Sequence, residues 1–270
     1  MHTATSRPAL LGIVGAGLMG RGIAQIAAQG GIPVVMHDAR PGGAREACPA
    51  IADTLGTLAG KGKIPQDACH AAVARLQAAS SLADLSSCTV VVEAIVENLQ
   101  AKRALLTELE ACVSPGCILA SNTSSLSVTA LAAGLQHPER VAGFHFFSPV
   151  PLMKVVEVIA GPLTRPEVAD TLVALGQQMG HTAVRASDTP GFIVNHAGRG
   201  YLTEALRLLG ESVAEPAVLD RILRDAAGFR MGPFELLDLT GLDVSHPVME
   251  SIYRQFFDEP RFRPSPITTV

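Results

Sequence analysis

The sequence predicts a doubly wound α/β domain with a mostly parallel sheet, followed by a smaller all-helical domain. Three observations carry this. First, short apolar runs at 10–15, 32–38, 89–95, 117–121, 141–147, 154–160 and 182–186 alternate with helical spacing at 20–30, 98–112 and 166–180. Second, the runs at 10–15, 89–95 and 117–121 are almost continuously apolar. That pattern belongs to strands covered on both faces, as in a parallel sheet. Third, no strand pattern follows Ser187-Asp188-Thr189-Pro190-Gly191, and 193–209, 216–227, 233–239 and 244–257 all have helical spacing. The expected domains are therefore 1–187 and 188–270, with a proline-rich loop over 256–266.

Composition permits this architecture and excludes others. At about 150 residues per domain, 270 residues suit one large domain or two smaller ones. Apolar residues make up 48% and charged residues 17%, which excludes global disorder. A net charge of −4 supplies no electrostatic reason to bind nucleic acid or a membrane surface. No run reaches the roughly 18 apolar residues of a membrane span. The apolar stretch 9–20, after Arg7, imitates a signal-peptide core, but its glycines suit a nucleotide-binding turn better. Cys48, Cys69, Cys88, Cys112 and Cys117 are odd in number and widely spaced, without histidines at metal-ligand spacing. Reduced packing thiols in a cytoplasmic protein are expected.

Gly15, Ala16, Gly17, Leu18, Met19 and Gly20 form a G-x-G-x-x-G that closes a strand and opens a helix. In that context the first glycine permits the tight turn. The second lets amides approach a pyrophosphate, and the third lets the helix lie close to the sheet. Asp38 ends the second run, 18 residues after Gly20. A carboxylate there accepts hydrogen bonds from ribose hydroxyls and repels a 2′-phosphate, which favours NAD over NADP. Arg40 is the counter-signal, since a guanidinium could hold that phosphate. The plain alternative makes Asp38 a strand-end turn residue.

His145 and Glu157 lie in two β-rich runs around a proline-rich connection. Folded symmetrically about Pro151, the two runs set them directly opposite, with Cβ atoms about 5 Å apart. A carboxylate at that distance fixes the imidazole tautomer and stabilises the imidazolium, so the other nitrogen can take a proton. Each residue alone reads more naturally as structural, a core histidine and a solvent-facing glutamate.

Ser121-Asn122-Thr123-Ser124-Ser125 follows the 117–121 strand, at the edge that faces the ligand crevice in such sheets. One of these residues is expected to cap a helix over 126–133, and the others to face the crevice. Glu93, Glu97, Asn98 and Lys102 sit at the end of the 89–95 run and on the next helix. Glu97 or Asn98 is a candidate cofactor contact, and an exposed charge pair is the alternative for Lys102. Asn195, among Phe192, Ile193 and Val194, needs polar partners, which a crevice between the domains would supply. Lys61 and Lys63 are a lysine pair in a chain with only 4 lysines. They suit phosphates on an extended substrate or, equally, a solvated loop.

The chain resembles the L-3-hydroxyacyl-CoA dehydrogenase family. The matching motifs are G-A-G-L-M-G (15–20), V-V-V-E-A-I-V-E-N-L-Q-A-K (90–102), S-N-T-S-S-L (121–126), G-F-H-F-F-S-P-V-P-L-M-K-V-V-E-V-I (143–159), D-T-P-G-F-I-V-N (188–195) and G-P-F-E-L-L-D-L-T-G-L-D (232–243). They follow the family's order over nearly the whole chain. The resemblance implies a Rossmann-like NAD domain, a helical domain that forms a homodimer, and oxidation of 3-hydroxyacyl-CoA to 3-ketoacyl-CoA. It places the catalytic histidine on His145, its partner on Glu157, and substrate contacts on Ser124 and Asn195. NAD contacts fall on the 15–20 turn, Asp38, Glu97, Lys102 and Asn122, and CoA phosphates on Lys61 and Lys63. After His145-Phe146-Phe147 the family usually has asparagine; here Ser148 is the shorter cofactor-side donor. The family pattern also continues beyond Pro264-Ser265-Pro266 into a final helix and a K-x-G-x-G-F-Y type ending, whereas this sequence ends at Val270. A non-enzymatic NAD-binding relative, or a dehydrogenase of a non-CoA hydroxy acid, is the alternative expectation.

Overall fold

The computed structural model describes residues 10–269. Arg7 and Ala9, at the head of the stretch weighed as a signal-peptide core, and the end residue Val270 lie outside the described residues. The chain divides into two units, Met1–Asp188 and Thr189–Val270.

The first unit is built on one eight-stranded sheet. Its strands are β1 (Leu11–Val14), β2 (Val34–His37), β3 (Leu76–Ala78), β4 (Val90–Glu93), β5 (Ile118–Ser121), β6 (Val141–Phe146), β7 (Val155–Ala160) and β8 (Thr182–Ser187). The order is β3-β2-β1-β4-β5-β6-β7-β8. All pairings are parallel except β6 with β7. Every residue of β1, β4, β5 and β6 is buried, which is why the first three of these runs read as almost continuously apolar. Ile13, Val92, Ala120, Phe144 and Val158 join Ile23 and Ala27 of α1 (Leu18–Gln29) in one core cluster. The register aligns Val14 with His37 and Glu93, Glu93 with Ser121, and Ser121 with Gly143. The carboxyl ends of five parallel strands thus form one edge, and the strand order reverses between β1 and β4. Ligands bind doubly wound sheets at that kind of edge.

Three elements lie outside the periodic segments read from the sequence: α2 (Gly43–Gly60), α3 (Gln66–Val73) and β3. Helix α2 buries Ala44, Ala47, Ile51 and Leu55 at helical spacing, but Pro49 inside it and two terminal glycines mask the pattern. The edge strand β3 has only three residues, none of them fully buried. The remaining helices of this unit are α4 (Leu99–Cys112), α5 (Val128–Ala132) and α6 (Pro166–Gln178).

The second unit contains α7 (Val194–Gly210), α8 (Pro216–Asp225), α9 (Pro233–Thr240) and α10 (Leu242–Gln255), with no strand among its described residues. Leu202, Leu206, Leu237 and Met249 form its core. Proline opens both α8 and α9, where its missing N–H costs nothing. The loop expected over 256–266 contains a short 3-10 turn at Pro260–Phe262. No described helix is long and apolar enough to cross a membrane. All five cysteines are unpaired, and burial pushes the Cys88 thiol up to about 11 and the Cys117 thiol to about 12. Among the described residues no histidine, cysteine or carboxylate cluster could hold a metal.

Candidate active site

The glycine turn connects β1 to α1. Gly15 has φ +106°, and a Cβ there would lie 2.5 Å from the Ala94 carbonyl oxygen. A Cβ on Gly20 would collide with the Gly15 carbonyl oxygen. Gly17 is different, with nothing within 4 Å of its would-be Cβ. Gly15 and Gly20 are therefore required by the fold, while Gly17 leaves open space. That space lies at the N-terminus of a 12-residue helix with no side-chain cap and no acidic residue in its first turn. Unsatisfied amides and the positive end of the helix dipole make it an anion cradle. Asp38, just past β2, accepts hydrogen bonds from the amides of Ala16 (2.6 Å, Oδ2) and Arg40 (2.8 Å, Oδ1). The carboxylate is thereby anchored to the turn. Cradle and acid together fit the pyrophosphate and ribose of NAD.

At the same sheet edge, β6 and β7 form an antiparallel pair in which His145 stands directly opposite Glu157. Nδ1 of His145 lies 2.7 Å from Oε2 of Glu157, and both side chains are buried. A carboxylate only accepts, so the bond sets the Nδ1 proton and directs the acid–base chemistry to Nε2. Phe147 packs on the imidazole with ring centroids 4.4 Å apart.

Between the turn and the hairpin lies a third assembly. Glu93 ends β4 fully buried, accepting the Ser121 hydroxyl at 2.7 Å and the Lys102 ammonium at 2.6 Å. Lys102, on α4, also reaches Glu97 Oε2 and the Ile95 carbonyl, each at 3.3 Å. Its three donors meet three oxygens. Oε1 of Glu97 accepts from the Thr123 hydroxyl (2.6 Å), the Ser124 amide (2.9 Å) and the Ser125 amide (3.1 Å). Burial pushes the Glu97 carboxyl up, but the Lys102 charge and these donors outweigh it and hold the group below the usual carboxylate range. The loop after β5 is therefore wrapped around one carboxylate. Asn122 turns the other way, its side-chain oxygen accepting the Phe146 amide at 2.9 Å and tying this loop to β6.

A family model described as "3-hydroxyacyl-CoA dehydrogenase, NAD binding domain" matches residues 10–189, and one described as "3-hydroxyacyl-CoA dehydrogenase, C-terminal domain" matches residues 191–270. The chain belongs to the 3-hydroxyacyl-CoA dehydrogenase family. It is 43% identical over 253 residues to a 3-hydroxyadipyl-CoA dehydrogenase of Escherichia coli, covering 94% of this chain and 53% of that protein. The chain thus spans about half the length of that relative. It is 39% identical to the mitochondrial hydroxyacyl-coenzyme A dehydrogenase of Sus scrofa, covering 94% of this chain and 83% of that protein. The crystal structure of an (S)-3-hydroxybutyryl-CoA dehydrogenase from Ralstonia eutropha superposes with a TM-score of 0.93 at 36% identity, over 97% of this chain and 93% of that one.

Within this member of the family, several side chains stand elsewhere than the sequence suggested. Lys102 is not exposed: only 1% of its side chain is accessible, and it pairs with Glu93 and with Glu97, five residues back. The helix expected over 126–133 is shorter, and its cap comes from outside the 121–125 run. Ser127 caps α5 by accepting the Ala130 amide at 3.2 Å, and Asp188 accepts the Val128 and Thr129 amides at 2.8 and 2.7 Å. Ser121, Thr123 and Ser125 are buried, while Asn122 and Ser124 are half-buried. Asn98 caps α4, accepting the Ala101 amide at 2.9 Å. The capping role of Asp188, some 60 residues from its partners, left no local signal.

Ser148 is exposed, between Phe147 and Pro149. Lys61 and Lys63 are exposed in the turn that ends α2, with no ion pair among the described residues. A groove of about 310 Å³ runs between Arg21 and Gln25 of α1, Ile51 and Thr54 of α2, and the 149–151 connection of the hairpin. Leu18 and Met19 follow the cradle on α1, the former well exposed. Asn195 lies in the first turn of α7, in the helical unit.

Proposed function

We propose that the protein is an NAD-dependent dehydrogenase that oxidises an L-3-hydroxyacyl-CoA at C3 to the 3-ketoacyl-CoA. The buried 2.7 Å contact between His145 and Glu157, at the strand edge that carries the glycine turn, supports this most strongly. Glu157 holds Nδ1, so Nε2 of His145 takes the 3-hydroxyl proton as the C3 hydride departs. Bound NAD would supply the hydride acceptor. Ser124, placed by Glu97, hydrogen-bonds the reacting oxygen, and Asn195 is the substrate contact assigned to the helical unit. The amides of the 15–20 turn take the pyrophosphate, Asp38 the adenosine ribose, and Asn122 and Ser148 the nicotinamide side. Lys61 caps the C-terminus of α2, seven residues or about 10 Å beyond Thr54 along the helix axis. The groove at Thr54 and the two lysines beyond it suit a pantetheine arm that ends in phosphates.

We assign the helical unit a homodimer interface. Leu239, Val244 and Phe257 are 70%, 58% and 96% exposed, which leaves apolar surface for a second copy. Five unpaired thiols suit the cytoplasm.

NADH consumption followed by absorbance tests the reading, with acetoacetyl-CoA compared against free acetoacetate. The expected result is turnover of the CoA ester well above that of the free acid. NADH binding without consumption of either would support the non-enzymatic alternative, and equal rates the non-CoA one.

A further inference from the structure

The adenosine end of the cofactor site carries an ion pair that the reaction does not use. Arg40 lies two residues beyond Asp38, where nucleotide-binding folds place an arginine to take a 2′-phosphate. Its side chain is exposed and could swing toward that phosphate. Both of its terminal nitrogens are instead held by Glu46, at 3.1 Å to Oε1 and 2.7 Å to Oε2. This is a fork-to-fork geometry, stronger and more directional than a single contact.

The placement is backed by the local fold. Glu46 sits in the first turn of α2, where the helix dipole favours a carboxylate. The Arg40 carbonyl accepts the Gly43 amide at 2.9 Å, closing the turn between the partners. Gly43 leaves room for Asp38, since a Cβ there would lie 2.7 Å from its Oδ1. Asp38, Arg40 and Glu46 therefore crowd around one point. The side-chain hydrogen bond, and then Coulomb attraction, holds Glu46 below the usual carboxylate range and Arg40 above its own.

We propose that Glu46 is a cofactor-specificity residue: it locks the Arg40 guanidinium and so keeps a site with a latent 2′-phosphate contact selective for NAD. The idea rests on the NAD site at Asp38 and goes beyond it, because Asp38 alone selects by repulsion. Glu46 adds a second negative charge and occupies a cation that could offset both. An exposed pair is weak enough for the lock to be a competition, so its removal is readable as a change in affinity.

Binding of NADH and NADPH, titrated by nicotinamide fluorescence, tests this without reliance on turnover. Glu46→Gln is isosteric and exposed. It is expected to tighten NADPH about five- to tenfold while NADH changes less than about twofold. Adding Arg40→Gln should abolish the gain. Unchanged NADPH affinity in Glu46→Gln would overturn the proposal, as would a gain that survives loss of Arg40. NADH binding by the unsubstituted protein checks the parent reading separately. If NADH does not bind, the cofactor site itself is wrong and the proposal falls with it.

Discussion

Two charged assemblies occupy the carboxyl edge of the sheet, and they are constructed in opposite ways. The hairpin pair takes one residue from each of two adjacent strands, and its carboxylate holds Nδ1 of the imidazole at 2.7 Å. The assembly at Glu93, Lys102 and Glu97 draws on a strand, the turn after it and a helix, and Lys102 has an oxygen for each of its three protons. The first is suited to changing its protonation during a reaction. The second is suited to holding a loop still while that happens. The difference lies in construction: one carboxylate fixes one ring nitrogen in the first, whereas three oxygens hold one ammonium in the second.

The largest effect that would break this comparison is in the hairpin. His145→Ala is expected to lower kcat by about 10²–10⁴-fold, the usual worth of positioned proton transfer. Steady-state NADH kinetics measure it, and an unchanged kcat would remove His145 from the chemistry.

Lys102→Met should be read first in stability. Removing the cation leaves Glu93 buried beside the Ser121 hydroxyl without its counter-charge. Loss of one partner from a buried pair costs roughly 3–5 kcal/mol, read as a lower denaturant midpoint. A loss of about 0.5 kcal/mol, typical of a surface site, would mean that the network is not a structural unit.

The smallest effect sharpens the comparison through pH. The Glu97 carboxyl is held below its ordinary range, so the native loop favours the ionised form. Its contribution to stability is present above the ordinary glutamate pKa of about 4.3 and disappears as pH falls through the lower folded value. Glu97→Gln should therefore show a smaller fall in Tm on acidification than the parent chain, by calorimetry. Identical acid-side slopes would show that the loop does not depend on that charge.

Legibility in the sequence differed between these regions for a physical reason. The hairpin register could be read because side chains alternate along a strand and the two runs mirror one another about Pro151. The glycine turn could be read because Gly20 is required by contact with the Gly15 carbonyl five residues back and Gly15 by its positive φ, although the atom that crowds Gly15 is the distant Ala94 carbonyl. Helix α2 was obscured by Pro49, although its buried Ala47, Ile51 and Leu55 have helical spacing. The charge pair of Lys102 with Glu97 was legible from its spacing, but its burial was not, because a lysine one turn along a helix is ordinarily solvated.

The amino-acid order alone was enough for the parallel sheet, the two-part organisation and the opposed imidazole and carboxylate, since periodicity and short-range backbone sterics are local properties. It could not assign the 123–125 loop to Glu97 or the α5 amides to Asp188. Those assignments follow from which distant segment is packed alongside, because a buried polar group takes its partner from whatever the fold brings within about 3 Å.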